Sequence, residues 1–184
     1  LQNRKILLCG IGFFEQELLR AIAARWHVVA VDMNKEKLGR LQQELPGLAG
    51  FAGDASSILT WKKLNVQELF HVIITIRDHD VALEVCRIVR EAFQLDIPIT
   101  RIAYDDSDDR RYDQFNICIV RPVAMGVNFI LNRLEKNYVK AGEIGQGKGE
   151  IIEVPILSKS HLVDRKLKYL RPTNWQVAAI YRDG

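Results

Sequence analysis

Gly10-Ile11-Gly12 is the segment of this chain whose residue types and spacing are best suited to hold an anion. It follows a short apolar run, KILLC (5–9), and precedes residues with helical spacing. The first glycine permits a tight turn, and the second lets a phosphate approach the backbone. The N–H groups and positive end of the following helix then bind that anion. Asp32 ends the next apolar run, HVVAVD, 20 residues beyond Gly12. A carboxylate there accepts hydrogen bonds from the two hydroxyls of an adenosine ribose. It also repels a 2′-phosphate, which favours NAD(H) or another nucleotide with an unmodified ribose. The other reading is a tight turn and a helix-capping aspartate in a sheet that binds nothing. Glu15 stands at the third fingerprint position, where Gly or Ala allows close packing of helix on strand. Its side chain is expected to force the helix outward or turn to solvent, and its charge to compete with a phosphate for the helix dipole. Phe13 and Phe14 add bulk. These residues predict a crevice that prefers a mononucleotide, binds weakly or stays empty. If they plugged it, leaving no room for one phosphate, no ligand would be sensed there.

Gly53-Asp54-Ala55-Ser56 follows a third apolar segment. Small residues leave room for an adenine ring, and Asp54 or Ser56 offers a bond to its edge. The competing role is an N-cap for the next helix, and both roles are compatible. Other candidates carry less. GEIGQGKG (142–149) nearly matches a P-loop, but Gly149 replaces the hydroxyl that ligates magnesium, and the segment lies between a helix and a strand in the wrong order. Asp105, Asp106, Asp108 and Asp109 lack EF-hand spacing and run into Arg110 and Arg111, as at a solvated, capped helix start. The histidines His27, His71, His79 and His161 give no zinc pattern. Ser160, His161 and Asp164 lack a nucleophile elbow. No metal site and no catalytic residue is expected.

The elements that must position these residues are legible as periodicity. Short apolar strands at 5–9, 27–32, 51–53, 71–76, 97–104 and 117–120 alternate with helical patterns at 13–25, 35–45, 56–65, 79–94 and 106–114. This order predicts an α/β fold, a Rossmann-like doubly wound parallel sheet with helices on both faces. The 184 residues, 48% apolar and 27% charged, are ordinary for one globular domain plus a fragment and exclude a wholly disordered chain. No apolar run is long enough to span a bilayer, and residues 1–10 do not read as a signal peptide. The leading Leu1 suggests a piece of a longer chain. A net charge of +3, evenly spread, gives no case for nucleic acid. Cys9, Cys86 and Cys118 sit in apolar surroundings without disulfide or metal spacing, as buried reduced thiols do in a cytosolic protein.

After Pro122 the pattern changes. Residues 123–140 predict one longer helix with Val127, Ile130, Leu131 and Leu134 in a stripe. The stripe either packs on its own sheet or pairs with the same helix of a second copy. Residues 142–149 hold four glycines and read as a flexible linker, and residues 150–157 and 176–182 as strands. The expected divisions are a nucleotide-binding domain at 1–121, a crossover helix and linker at 122–149, and the start of a small α+β domain at 150–184.

Six segments, ILLCGIG (6–12), VVAVD (28–32), GDAS (53–56), VIITIRD (72–78), PITRIAY (98–104) and EIIEVPI (150–156), together resemble the RCK family, the regulator of K+ conductance. Its modules consist of a TrkA-N nucleotide-binding domain followed by a TrkA-C domain. The resemblance implies a cytoplasmic regulatory module at the inner face of the cell membrane. It implies NAD(H), ATP, ADP or AMP as ligand. It implies a homodimer through helix 123–140 or a larger ring, attached to an ion channel or transporter subunit or to a pore in the same polypeptide. By resemblance Gly10 and Gly12 hold phosphate, Asp32 holds ribose and Asp54 lines the adenine side. The wider expected contact set adds Ile11, Phe13, Phe14, Met33, Asn34, Gly53, Ala55, Thr75 and Arg101. Departures are Glu15, Ala82 where the family often has Asn, and Asn34 where it has a second acid. Calcium-gated members carry acids on the fifth strand where this chain has Arg101 and Ala103, so no calcium site is carried over. The alternatives are an NAD(H)-dependent oxidoreductase, which lacks any acid/base beyond His161 after residue 150, and an assembly domain without ligand.

Overall fold

The computed structural model describes residues 4–105, 109–134, 140–144, 149–153, 156–160, 162–170 and 175–180. They fall into two compact units, Leu1–Val127 and Asn128–Gly184. In the first, six strands form one sheet in the order β3-β2-β1-β4-β5-β6. They are β1 (Lys5–Cys9), β2 (His27–Asp32), β3 (Leu48–Ala52), β4 (Leu69–Ile74), β5 (Ile99–Ile102) and β6 (Cys118–Val120). Every pair is parallel, with Leu7 opposite Val29 on one side and Val72 on the other. This is the doubly wound α/β sheet that the alternation of strands and helices predicts.

The sheet is buried on both faces, which is why its strands are continuous apolar runs. Leu7, Cys9, Val31, Val72 and Ile74 point to one face, with Trp61, Val85, Val89, Tyr112 and Phe115. Leu8, Val28 and Ala30 point to the other, with Leu19 of α1 (Phe13–Ala23) and Leu38 and Leu41 of α2 (Lys35–Glu44). The inward sides of these helices repeat at three to four residues, as their sequences predict. Burial pushes the Cys9 and Cys86 thiols up, Cys86 to about 11, so both remain protonated and inert.

Several elements are shorter than periodicity suggests, each for a packing reason. The helix expected at 56–65 is one turn, α3 (Ile58–Trp61), followed by a 3-10 turn at Val66–Glu68. The Trp61 indole N–H donates to the Ala55 carbonyl at 2.7 Å and its ring is buried in the core, which ties the turn before α3 to the helix. The helix expected at 79–94 is α4 (His79–Arg87), which widens into a π turn at Ile88–Ala92. There Arg90 donates to the carbonyls of Leu95, Ile97 and Phe115 at 2.6, 2.8 and 3.0 Å and ties off the chain reversal. The helix expected at 106–114 is a 3-10 helix, Asp109–Phe115, while 106–108 lie outside the described residues. A three-residue period puts Tyr112 and Phe115 on the same, buried side.

Larger corrections concern the last third. The crossover helix is α5 (Pro122–Leu134); 135–139 lie outside the described residues, and Lys140 already belongs to a strand. The expected glycine linker at 142–149 is replaced at its two ends by a hairpin, β7 (Lys140–Ile144) antiparallel to β8 (Gly149–Glu153), with Gly142 opposite Ile151. Glycine does not prevent ladder pairing, and the β-branched partner supplies the strand preference that KAGEI lacks. Residues 145–148 lie outside the described set. The strand expected at 150–157 ends at Glu153, with 154–155 outside the described residues and 156–157 in no regular element. Residues 176–180 form no strand, and 181–182 lie outside the described residues. The stripe residues of α5, Val127, Ile130, Leu131 and Leu134, are 49%, 58%, 48% and 72% exposed. Among the described residues, no helix is long and apolar enough to cross a membrane.

Candidate functional site

Because all six strands run the same way, their C-terminal ends share one sheet edge, where the loops carrying the candidate residues meet. The backbone ladder continues past the strands there. Gly10 N–H donates to Val31 O at 2.8 Å, Gly53 N–H to Asp32 O at 3.0 Å and Thr75 N–H to Cys9 O at 2.9 Å. Thr75 adds its hydroxyl, shared between the carbonyls of Cys9 and Gly10 at 3.0 and 2.8 Å. Thr75 is therefore a buried staple between β1 and β4. Gly10 has φ +91°, and a Cβ there would lie 3.0 Å from both Ile76 Cγ1 and Thr75 Oγ1. Here the turn does need glycine, for its dihedral and for its space.

Asp32, 13% exposed, faces back onto this turn. Its Oδ2 accepts the Ile11 N–H and its Oδ1 the Asn34 N–H, both at 2.7 Å. Each carboxylate oxygen keeps further acceptor capacity, so clasping the loop and receiving ribose hydroxyls are compatible. Lys37 Nζ lies 3.7 Å from Asp32 Oδ2 and donates to Ile11 O at 2.5 Å. Sequence reading missed Lys37; its signal is its place three residues after Asn34, whose side chain caps α2 by accepting the Lys37 N–H at 2.9 Å. The Ile11 side chain is buried in the core, so only its backbone faces the loop, whereas Met33 is 79% exposed at the tip of β2.

Glu15 does neither of the things expected of it. It neither turns to solvent nor pushes α1 away; it is 2% exposed. Its Oε2 accepts the Gly12 N–H at 2.8 Å and its Oε1 accepts the Tyr104 hydroxyl. The third fingerprint glycine is thus replaced by a glutamate whose carboxylate folds inward and caps the Gly12 N–H, the one half of a capping box that a glycine N-cap allows. Burial, then the adjacent Glu15, pushes the Tyr104 phenol up, so it stays a donor. Tyr104 is the second residue missed, because a contact between residues 89 positions apart has no local sequence signal. The Phe13 ring is 84% exposed and does not fill the crevice.

At the end of β3, Asp54 Oδ1 accepts the Ser56 N–H and hydroxyl at 2.8 and 2.7 Å. The turn role of Asp54 is therefore present, although the N-cap of α3 is Ser57 rather than Asp54 or Ser56. Ala55 is buried, and Gly53 packs against Thr60, 3.0 Å from its would-be Cβ. Arg101 lies beneath the edge rather than at it, 1% exposed. It donates to Ile76 O at 3.1 Å, sits 5.0 Å from the Tyr112 ring centroid and approaches His79 Nδ1 at 3.1 Å. The other ring nitrogen of His79, Nε2, lies 3.3 Å from Asp105 Oδ1. In the acidic segment, Asp105 faces His79 and Asp109 pairs with Arg121 at 2.5 Å; 106–108 and His161 lie outside the described residues.

Solved structures share this architecture. The TrkA-N domain of inner membrane protein ybaL from Escherichia coli aligns with a TM-score of 0.62 at 20% identity, covering 73% of this chain and 98% of that one. The GsuK channel bound to NAD aligns at 0.59 and 20% identity over 71% of this chain, which spans only 23% of the channel polypeptide. The Kef CTD from Shewanella denitrificans, in its AMP-bound form, aligns at 0.58 and 20% identity, covering 73% of this chain and 82% of that one. Identities this low establish the fold. Membership rests on sequence: the TrkA-N domain model matches residues 6–120, more than half of the chain, from the first strand through the last strand of the sheet, and the chain belongs to the TrkA-N domain family.

Proposed function

We propose that this chain is a ligand-sensing, non-catalytic regulatory module of a potassium channel or potassium uptake transporter, lying at the cytoplasmic face of the membrane. It binds NAD(H) or an adenine nucleotide where β1 hands over to α1. The observation that carries this reading is the clasp between Asp32 and the Gly10–Gly12 turn: a carboxylate at the tip of β2 beside a glycine at φ +91°, on the strand-end edge where such sheets take ligands. The NAD-bound GsuK channel and the AMP-bound Kef CTD, which share the fold, support the ligand class. Gly53, Asp54 and Ala55 then receive the adenine, and Met33 and Asn34 border the ribose. Binding to the folded state alone raises its stability by mass action, by about 2.7 kcal/mol at one hundred times Kd. NAD+, NADH, ATP, ADP and AMP are to be tested by thermal denaturation. At least one is expected to raise the melting temperature, and Asp32→Ala to abolish the rise. No shift with any of the five at millimolar concentration would leave an assembly domain.

The exposed stripe of α5 pairs with the same stripe of a second copy in a two-fold homodimer, or in a larger ring built from such dimers. Val127, Ile130, Leu131 and Leu134 would otherwise stand in water. Ligand binding that favours one dimer geometry by about 1–3 kcal/mol is enough to bias an attached pore. Leu131→Asp is expected to convert the dimer to monomer, read as molecular mass by light scattering. A dimer that survives the substitution refutes this pairing.

A further inference from the structure

We infer that Glu15 is the specificity determinant of the crevice: a carboxylate built into the phosphate cradle, which admits an adenine nucleoside or its monophosphate and rejects ligands with two or more phosphates. The inference rests on the reading that an adenine-containing ligand enters at this edge, and it narrows that ligand's chemistry.

The turn has three N–H groups available to an anion, and the protein already fills all of them. Gly10 N–H goes to Val31 O at 2.8 Å, Ile11 N–H to Asp32 Oδ2 at 2.7 Å and Gly12 N–H to Glu15 Oε2 at 2.8 Å. The last two acceptors are carboxylates. The remaining donors are the N–H groups of Phe13, Phe14 and Glu15, the first three positions of α1, which have no acceptor inside the helix. They suit one phosphate at the helix start; a pyrophosphate that also needs the Gly12 N–H must displace the Glu15 carboxylate. Displacement is resisted at both oxygens, because the Tyr104 hydroxyl holds Oε1 while Gly12 holds Oε2.

Charge acts in the same direction. The side chains bonded to this turn contribute Asp32 and Glu15 as anions and Lys37 as the cation, a sum of −2 + 1 = −1. Lys37 lies on the Asp32 side, 3.7 Å from that carboxylate, and no Lys or Arg pairs with Glu15 among the described residues. A buried, unpaired negative charge in the first turn offsets the helix dipole that would attract phosphate, and each added phosphate meets more repulsion. Adenine and ribose lie on the β2–β3 side, outside this conflict.

Calorimetric titration of adenosine, AMP, ADP and NAD+ into the whole chain tests the inference, using wild type, Glu15→Gln and Glu15→Gly. Glutamine keeps one oxygen to accept the Gly12 N–H and turns its amide N–H toward the Tyr104 oxygen, which then accepts, while the charge is removed; glycine restores the missing third position. Wild type is expected to bind adenosine and AMP more tightly than ADP and NAD+. Glu15→Gln should raise the affinity for ADP and NAD+ about tenfold while leaving adenosine within about twofold. The wild-type preference against ADP should shrink as salt is added. Wild type that binds ADP or NAD+ as tightly as AMP, or a folded Glu15→Gln with unchanged ADP affinity, overturns the inference and leaves the ligand site intact. Absence of binding by all four compounds to all three proteins overturns the ligand site itself.

Discussion

Arg101→Ala is expected to lower the unfolding free energy by about 3 kcal/mol, whereas Arg101→Met costs about 1 kcal/mol. The guanidinium is almost fully buried between the Tyr112 ring and the Ile76 carbonyl, and its Nε has no hydrogen-bond partner. Burying a cation with an unmet donor and no carboxylate partner is itself unfavourable, so charge removal alone returns some stability. Volume decides the balance. Alanine leaves a void under Tyr112 and strips the donors from Ile76 O and His79, and these terms act against the fold. Methionine fills most of that void and sheds the charge, leaving mainly the two lost hydrogen bonds. Urea denaturation of both variants checks this. Equal losses would mean that the hydrogen bonds of the guanidinium, rather than its bulk, hold β5 against the turn after β4.

Two glycines two residues apart should respond to substitution with losses of different size and cause. Gly10→Val is expected to destabilise the fold by about 3 kcal/mol and to eliminate ligand binding. At φ +91° a β-branched side chain is strained before it touches anything, and its Cβ would meet Ile76 and Thr75 at 3.0 Å. Neither neighbour yields easily, since Thr75 is pinned to two carbonyls. Gly12→Ala should cost less, about 2 kcal/mol. Gly12 has φ −101°, an ordinary extended value, and a Cβ there meets only the end of the Glu15 side chain, so the cost is that of displacing this carboxylate and not of backbone strain. The loss is then the pair of hydrogen bonds, from Gly12 and Tyr104, that hold Glu15. Thermal melts of the two variants, compared side by side, decide the point; a Gly12→Ala loss as large as that of Gly10→Val would show that Glu15 is locked in place by more than its two hydrogen bonds.

The sheet was readable in the residues because a strand buried on both faces leaves an unmistakable trace. KILLC, HVVAVD and HVIITI are apolar or β-branched almost throughout, and each becomes a strand close to its predicted limits. The turn after β1 was equally readable, since only glycine suits φ +91° there. Helix lengths were less so. The apolar period of 79–94 continues through Ile88 and Val89, and the period alone does not announce that the backbone widens after Arg87; one anchor of that reversal, the Phe115 carbonyl, arrives from 25 residues beyond Arg90. The antiparallel pair of strands at 140–144 and 149–153 was hidden for the opposite reason. Its glycines signal freedom, while its order comes from pairing with a neighbouring strand.

Sequence alone determined the alternation of strands and helices, the parallel sheet and the places of Gly10 and Asp32 at its strand-end edge, since backbone dihedrals and burial period act within a few residues. Tertiary structure alone decided the state of that edge. It turned Glu15 inward, supplied Tyr104 from 89 residues away to hold it, placed Lys37 beside Asp32 and drew Arg101 beneath the surface. Each of these is a contact between side chains whose separation along the chain carries no periodic signal, so only the packed sheet brings them within reach of one another.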